Sequence, residues 1–219
     1  MTELSKLYDA RFTSTGLDKR DKVWKVLCAS YFQKLVPEDA VLLDLACGYG
    51  EFINNMRAAR KIGVDLNRDA PKHLDKDVEF HLSPATDLSS IGPGTVDVVF
   101  TSNFLEHLRS KEECNTVQSE VLKLLRPGGR FIVLGPNIRY AYAQYWDYYD
   151  HYLPLSDLSL TEGLLLNGFE MERVVPRFLP YTMNNATPTH ELLVRAYLAI
   201  PLAWKILGKQ FLVIARKPQ

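Results

Sequence analysis

Two sets of residues in this chain have types and spacings that chemistry could use. The stretch "VLLDLACGYGEF", residues 41–52, holds the first: an acid, Asp44, then Ala46, Gly48 and Gly50 at alternate positions. Glycine permits positive φ and lets a ligand approach the backbone closely. A dinucleotide turn would read G-x-G-x-x-G, with pyrophosphate on a helix N-terminus. The third glycine is missing, and the carboxylate of Asp44 would repel a phosphate. An ammonium or a nucleoside rich in hydrogen-bonding groups suits the turn better. A second acid, Asp65, ends the next apolar run. A carboxylate in that position can hold both hydroxyls of a ribose.

The second set is histidine, the usual general base near neutral pH. His151, in "WDYYDHYLPL", is the best base candidate, with Asp147 and Asp150 just before it. A carboxylate partner would fix the imidazole tautomer and raise its basicity. His107 follows Glu106 in "NFLEHL". It can wall an active site, share a metal with Glu106, or simply pack; no metal site is assigned. His73 and His81 read as structural.

The elements that must position these groups alternate. Strands are expected at 41–45, 61–67, 78–83, 96–103 and 130–137, with two more at 168–178 and 210–218. Amphipathic periodicity predicts a helix over 19–35, with Pro37 after its end. A helix is expected through "FINNMRAAR" after the glycines, and a long one over 110–125 that stops at "RPGG". Alternation from 41 to 137 is the pattern of a parallel sheet with helices on both faces. Ligands of such sheets sit outside the carboxyl ends of the strands. The stretch 140–152 holds six of the eleven tyrosines and follows the fifth strand, so it is placed to wall a substrate pocket.

Composition narrows the class. The chain has 219 residues, enough for one large α/β domain, with 47% hydrophobic and 24% charged residues. Lys plus Arg and Asp plus Glu are 26 each, which argues against a nucleic-acid partner. Cys28, Cys47 and Cys114 form no C-x-x-C pair, so neither a disulfide framework nor a structural zinc site is expected. A reducing cytoplasm is the expected compartment. "MTEL" opens without a basic and then apolar leader. The most apolar stretch, 192–207, carries Arg195, Pro201 and Lys205 and is too short and interrupted to span a bilayer. As a helix over 190–207 it could instead lie on a membrane interface, at the inner face.

In combination, "DLACGYG", "GVDLN", "DVVFTSNFLEHL" and "LLRPGGRFIVLGPN" resemble the class I S-adenosylmethionine-dependent methyltransferases, in order over 41–137. The resemblance implies a Rossmann-like α/β fold: a seven-stranded sheet of order 3-2-1-4-5-7-6, its last strand antiparallel, with helices on both faces. It implies one domain over 1–219, with an N-terminal helical lid (1–36) and substrate-side insertions (138–165 and 179–208). The implied cofactor is S-adenosyl-L-methionine. Ala46, Gly48 and Gly50 would line its methionine and ribose side, and Asp44 would organise the turn. Asp65 would hold the ribose and Leu66 flank the adenine. Ala85, Thr86 and Asp87 would meet the adenine edge, with Asp87 standing in for an acid that this chain replaces with Pro84. Asn103 and Phe104 would lie at the methionine end. Tyr8, Arg11, Phe12 and Arg20 would be lid groups, with Arg20 or Arg11 meeting the cofactor carboxylate.

The catalytic set expected on this reading is His151, Asp147 and His107. The stretch from 139 to 182 also resembles methyltransferase-like proteins of bacterial surface-polysaccharide pathways. Aromatic faces with Asn, Asp and Arg suit a sugar, so O-methylation of a sugar or glycan intermediate is the leading expectation. A phenol, quinone or polyketide acceptor fits the tyrosine-rich wall as well. A methyltransferase-like domain that binds without turnover is the third reading.

Overall fold

The computed structural model describes residues 14–181 and 190–219, with side chains from residue 19 onward in the first helix. Tyr8, Arg11 and Phe12 lie outside the described residues. Seven strands form one sheet: β1 (Val41–Leu45), β2 (Arg60–Asp65), β3 (Val78–Leu82), β4 (Val96–Ser102), β5 (Leu125–Pro136), β6 (Glu170–Leu179) and β7 (Gln210–Arg216). Their order is β3-β2-β1-β4-β5-β7-β6, as expected. β1 to β5 pair in parallel, and β7 runs antiparallel to both β5 and β6.

Strand alternation explains the two layers of core. In β1, Leu43 and Leu45 enter one apolar cluster and Leu42 the other; in β4, Val99 opposes Val98 and Phe100. Side chains of a strand point to alternate faces, so two buried faces need helices on both sides. Helices α2 (Lys111–Leu124) and α4 (Asp157–Leu166) supply Val117, Val121 and Leu160 to the first cluster. Helix α1 (Ser14–Ser30) supplies Trp24 and Leu27 to the second. There Phe52 stacks on Phe100 at 3.6 Å. Helix α2 starts where Ser110 accepts the Glu113 N–H, and α4 where Ser156 and Ser159 form a capping box.

Two expected helices are different in the structure. After the glycines there is only a 3-10 turn, Ile53–Asn55. Asn54 donates to the His73 carbonyl and accepts from the Asp75 N–H, while Asn55 donates to the Glu51 carbonyl. Side chains that bind backbone in this way compete with helix. The expected helix over 190–207 is two, α5 (Glu191–Ala199) and α6 (Pro201–Leu207). Pro201 has no N–H and drives Ile200 out of the helical region, to φ −117 and ψ 90. Between β5 and α4, helix α3 (Ile138–Tyr145) leads into the tyrosine-rich segment.

Candidate active site

The order reverses between β1 and β4, so their carboxyl ends form the switch-point crevice where open α/β sheets bind ligands. Four residues there have positive φ: Ala46 (60°), Gly48 (54°), Gly50 (81°) and Asn103 (49°). Two of the four are not glycine, and such strain gathers at functional sites. The Cys47 N–H donates to the Val64 carbonyl, which ties the turn to β2. Asp65 completes the tie: one carboxylate oxygen accepts from the Gly48 N–H and the other from the Asn67 N–H, both at 2.7 Å. Each oxygen keeps a lone pair for a ligand hydroxyl.

The turn is acidic. Burial raises Asp44 well above the usual carboxylate range, and the charges of Glu51 and Asp65 push the same way; a hydrogen bond from the Ile53 backbone opposes them. Burial also raises Asp65, against the pull of its backbone donors. Arg20 pairs with Glu51 at 2.9 Å, so it stands beside the turn, already holding a carboxylate. Leu66 and Leu82, next to Asp65 and across from it on β3, are 59% and 50% exposed. The amide nitrogen of buried Asn67 has no partner.

Some expected cofactor residues have local structural work. A side chain at Gly50 would lie 2.6 Å from Leu74 Cδ2 and 2.8 Å from Asn54 Nδ2, so those side chains would have to move, and its φ of 81° itself favours glycine. The exposed carboxylate of Asp87 accepts from the backbone N–H and hydroxyl of Ser89, closing a turn. Ala85 and Thr86 are half-buried just before it, and Ala85 packs on the core. Phe104 also packs against the first core cluster, and Asn103 is exposed.

The second site lies beyond the end of β4. A 3-10 turn, Leu105–His107, carries Glu106 and His107. The Glu106 carbonyl accepts from the N–H groups of Tyr152 and Leu153, which draws His151 to the same place. The rings of His107 and His151 meet edge to face at 4.9 Å. His151 is buried, stacks on Tyr148 at 4.8 Å, and has Tyr145 at 4.7 Å. The Tyr181 hydroxyl lies 3.4 Å from its Nδ1.

One expectation about the carboxylates is corrected here. Asp150, not Asp147, enters the cluster, and it binds His107: the Nδ1 lies 3.2 Å from the carboxylate and 3.0 Å from the backbone carbonyl. Asp147 is exposed at the end of α3, because the chain turns after Gln144, whose carbonyl accepts the Asp147 N–H. Burial pulls His107 down, but the Asp150 hydrogen bond and the Glu106 charge outweigh it and raise its pKa. Burial pushes Glu106 up to about 6, despite the His107 charge. Burial and the Glu106 charge both raise Tyr181. Glu106, His107 and His151 each offer one ligand atom within 4.8 Å of the others, a set that can also take a divalent metal. The sequence reading gave no role to Tyr181, or to Asn67 although it ends the "GVDLN" motif.

Residues 43–133 match the family described as a methyltransferase domain. Over those residues the chain carries a methyltransferase domain. Its fold is shared with an S-adenosylmethionine-dependent methyltransferase from Archaeoglobus fulgidus, at 20% identity and a TM-score of 0.64, covering 99% of this chain and 100% of that one. A second, from Mesorhizobium loti, gives 19% identity and a TM-score of 0.59 over 84% and 94% of the two chains. A third, geranyl diphosphate C-methyltransferase from Streptomyces coelicolor, was solved with S-adenosyl-L-homocysteine and gives 15% identity and a TM-score of 0.60 over 86% and 77%. No curated protein matches the chain by sequence.

S-adenosylmethionine, which the names of these neighbours give, fits the crevice. Three acids, Asp44, Glu51 and Asp65, surround a turn that would receive a sulfonium and an ammonium. Exposed Leu66 and Leu82 offer an apolar flank to a purine, and the unpaired Asn67 amide is a donor at the same edge.

Proposed function

We propose that this methyltransferase O-methylates a sugar or glycan intermediate, with His151 as the base. The observation that carries the reading is the convergence of buried His151 with Glu106, His107 and Tyr181 beyond the carboxyl end of β4. Asp65 would bind the ribose hydroxyls, with Leu66 against the adenine and Ala85, Thr86 and Asp87 at its edge. Ala46 and Gly48 would bring backbone to the methionine portion, with Asn103 and Phe104 at its reactive end. Arg20, anchored on Glu51, would reach the cofactor carboxylate, and Asp44 would oppose the cationic part.

When bound, the cofactor supplies an electrophilic methyl group on sulfur, and S-adenosylhomocysteine leaves. The chain's own task is to orient the acceptor and take its proton. His151 receives the hydroxyl proton as the oxygen attacks, and stacking on Tyr148 holds the ring in place. The Asp150–His107 pair positions the neighbouring wall. The exposed rings of Tyr142, Trp146 and Tyr149 support the sugar reading, since flat faces stack on the apolar face of a pyranose.

The test is release of S-adenosylhomocysteine against a panel of nucleotide sugars, glycans and catechols, with product mass. His151→Ala should lower turnover by about 10²–10⁴-fold, with cofactor binding unchanged. Full turnover in that variant removes the base. Turnover that a chelator abolishes and zinc restores moves the cluster from base to metal ligand. Product on a catechol alone gives the phenolic reading, and cofactor binding without any product gives the silent one.

A further inference from the structure

Helices α5 and α6 turn six large aliphatic side chains outward: Leu192, Leu193, Ile200, Leu202, Ile206 and Leu207, each more than half exposed. The helices are held to the protein by their other faces, through buried Leu198 and Trp204. Leu202, Lys205 and Ile206 stand at i, i+3 and i+4, so two aliphatic tips and an ammonium share one stripe. Beside this face lies a groove of about 430 Å³, lined by Tyr140, Arg173, Arg177, Pro201, Trp204 and Lys205 among others. Three cations line it and no carboxylate does. Arg177 donates to the carbonyls of Ile206 and Gly208 and lies 4.8 Å over the Tyr140 ring, which fixes it in the groove wall. Over α5 and α6 the one acid is Glu191, in the first turn, against Arg195 and Lys205.

Contiguous exposed apolar surface with a polar rim marks an interaction site. The composition selects the occupant. Three cations with no carboxylate select a negatively charged surface. Here exposed aliphatic tips neighbour cations, while Trp204 lies buried behind them and Tyr140 is half-buried in the groove. That mixture is the signature of helices that lie in a bilayer interface. None of the described helices is long and apolar enough to cross a membrane. The break at Pro201 makes two short segments instead.

We propose that α5, α6 and the adjoining groove form a docking site for an anionic phospholipid bilayer. Leu202 and Ile206 enter the acyl boundary, and Arg173, Arg177 and Lys205 meet lipid phosphates. This surface goes beyond the acceptor reading and stands whatever is methylated. A lipid-linked glycan would meet the enzyme on that bilayer.

The test is cosedimentation of the full chain with vesicles of phosphatidylglycerol and phosphatidylcholine, and with phosphatidylcholine alone. Binding is expected to the anionic vesicles, weakening as salt rises. The double variant Leu202→Asp/Ile206→Asp should lose at least about tenfold in partitioning. Arg173→Glu/Lys205→Glu should lose more, at about fivefold for each cation removed and again for each acid added. Both variants should keep the wild-type thermal shift with S-adenosylmethionine, which shows that they fold. The proposal is overturned if wild type ignores anionic vesicles or if neither variant matters. It also falls if inorganic phosphate displaces the protein fully, which would make the groove a free-anion site. A wild-type dimer that Leu202→Asp/Ile206→Asp dissociates would give the face to a second copy. Vesicle binding without a cofactor shift would sink the methyltransferase reading and leave the docking site standing.

Discussion

Asp44 is held at the end of β1 where burial, Glu51 and Asp65 all act against its ionisation. A carboxyl group with a raised folded pKa binds more protons folded than unfolded. Its stabilising contribution is complete below the unfolded value, 3.8, and is lost as pH rises through the folded one. Above that range Asp44 costs the ligand-free protein stability, and a cation bound beside it would favour its charged form. Asp44→Asn should raise the Tm of the ligand-free protein by about 2–4 °C, for about 1 kcal/mol recovered. The same variant should weaken S-adenosylmethionine by about tenfold, or 1.4 kcal/mol, and S-adenosylhomocysteine less, because only the former carries the sulfonium charge. Equal losses for both ligands would place Asp44 away from the sulfur. Glu106 obeys the same sign. With its pKa moved from 4.5 to about 6, its contribution to stability falls as pH rises through that interval. Thermal denaturation followed across it should slope downward in wild type, and the slope should flatten in Glu106→Gln.

At the scale of elements, the glycine turn shows why strands are easier to read than what connects them. β1 lies at 41–45 as its apolar run indicates, because a strand buried on both faces leaves a contiguous signature. The segment after Gly50 has helical periodicity, yet Asn54 spends its side chain on distant backbone, a choice that depends on where His73 and Asp75 come to lie. Gly50 belongs to the same packing. Gly50→Ala would put a methyl group 2.6 Å from Leu74 and impose φ 81° on a residue with a side chain. We expect a loss of about 2–4 kcal/mol, read as a lower midpoint in urea at unchanged slope. A loss under about 1 kcal/mol would mean that Leu74 gives way. The candidate site divides along the same line. Asp65, Gly48, His107 and His151 are legible because their residue types sit at strand ends or among aspartates. The partnership of Asp150 with His107, and the arrival of Tyr181, depend on the Tyr152 and Leu153 N–H bonds to the Glu106 carbonyl. No local pattern announces a contact made across 43 positions.

Across the whole molecule the formal charge is zero, but it is not evenly spread. Asp44, Glu51 and Asp65 gather at the carboxyl ends of β1 and β2. Arg173, Arg177 and Lys205 gather in the groove by β6, at the other edge of the sheet. The acidic end belongs to two strands that pair along their length and are tied beyond it by the glycine turn and Asp65, so a ligand seated there braces that tie. Binding to the folded state alone stabilises it by mass action, about 2.7 kcal/mol at one hundred times Kd. For a chain of this length that is about 5–10 °C in Tm. S-adenosylmethionine at that excess should produce such a shift, and Asp65→Ala should abolish it. Asp65→Ala also frees the Gly48 and Asn67 N–H groups from their acceptor, so its ligand-free Tm should fall as well. Asp65→Asn separates the two effects. An amide oxygen can still accept from one backbone N–H, so that variant should recover part of the ligand-free stability while its shift with cofactor stays small. A full shift in Asp65→Asn would mean that the carboxylate serves the turn and that other groups hold the nucleoside.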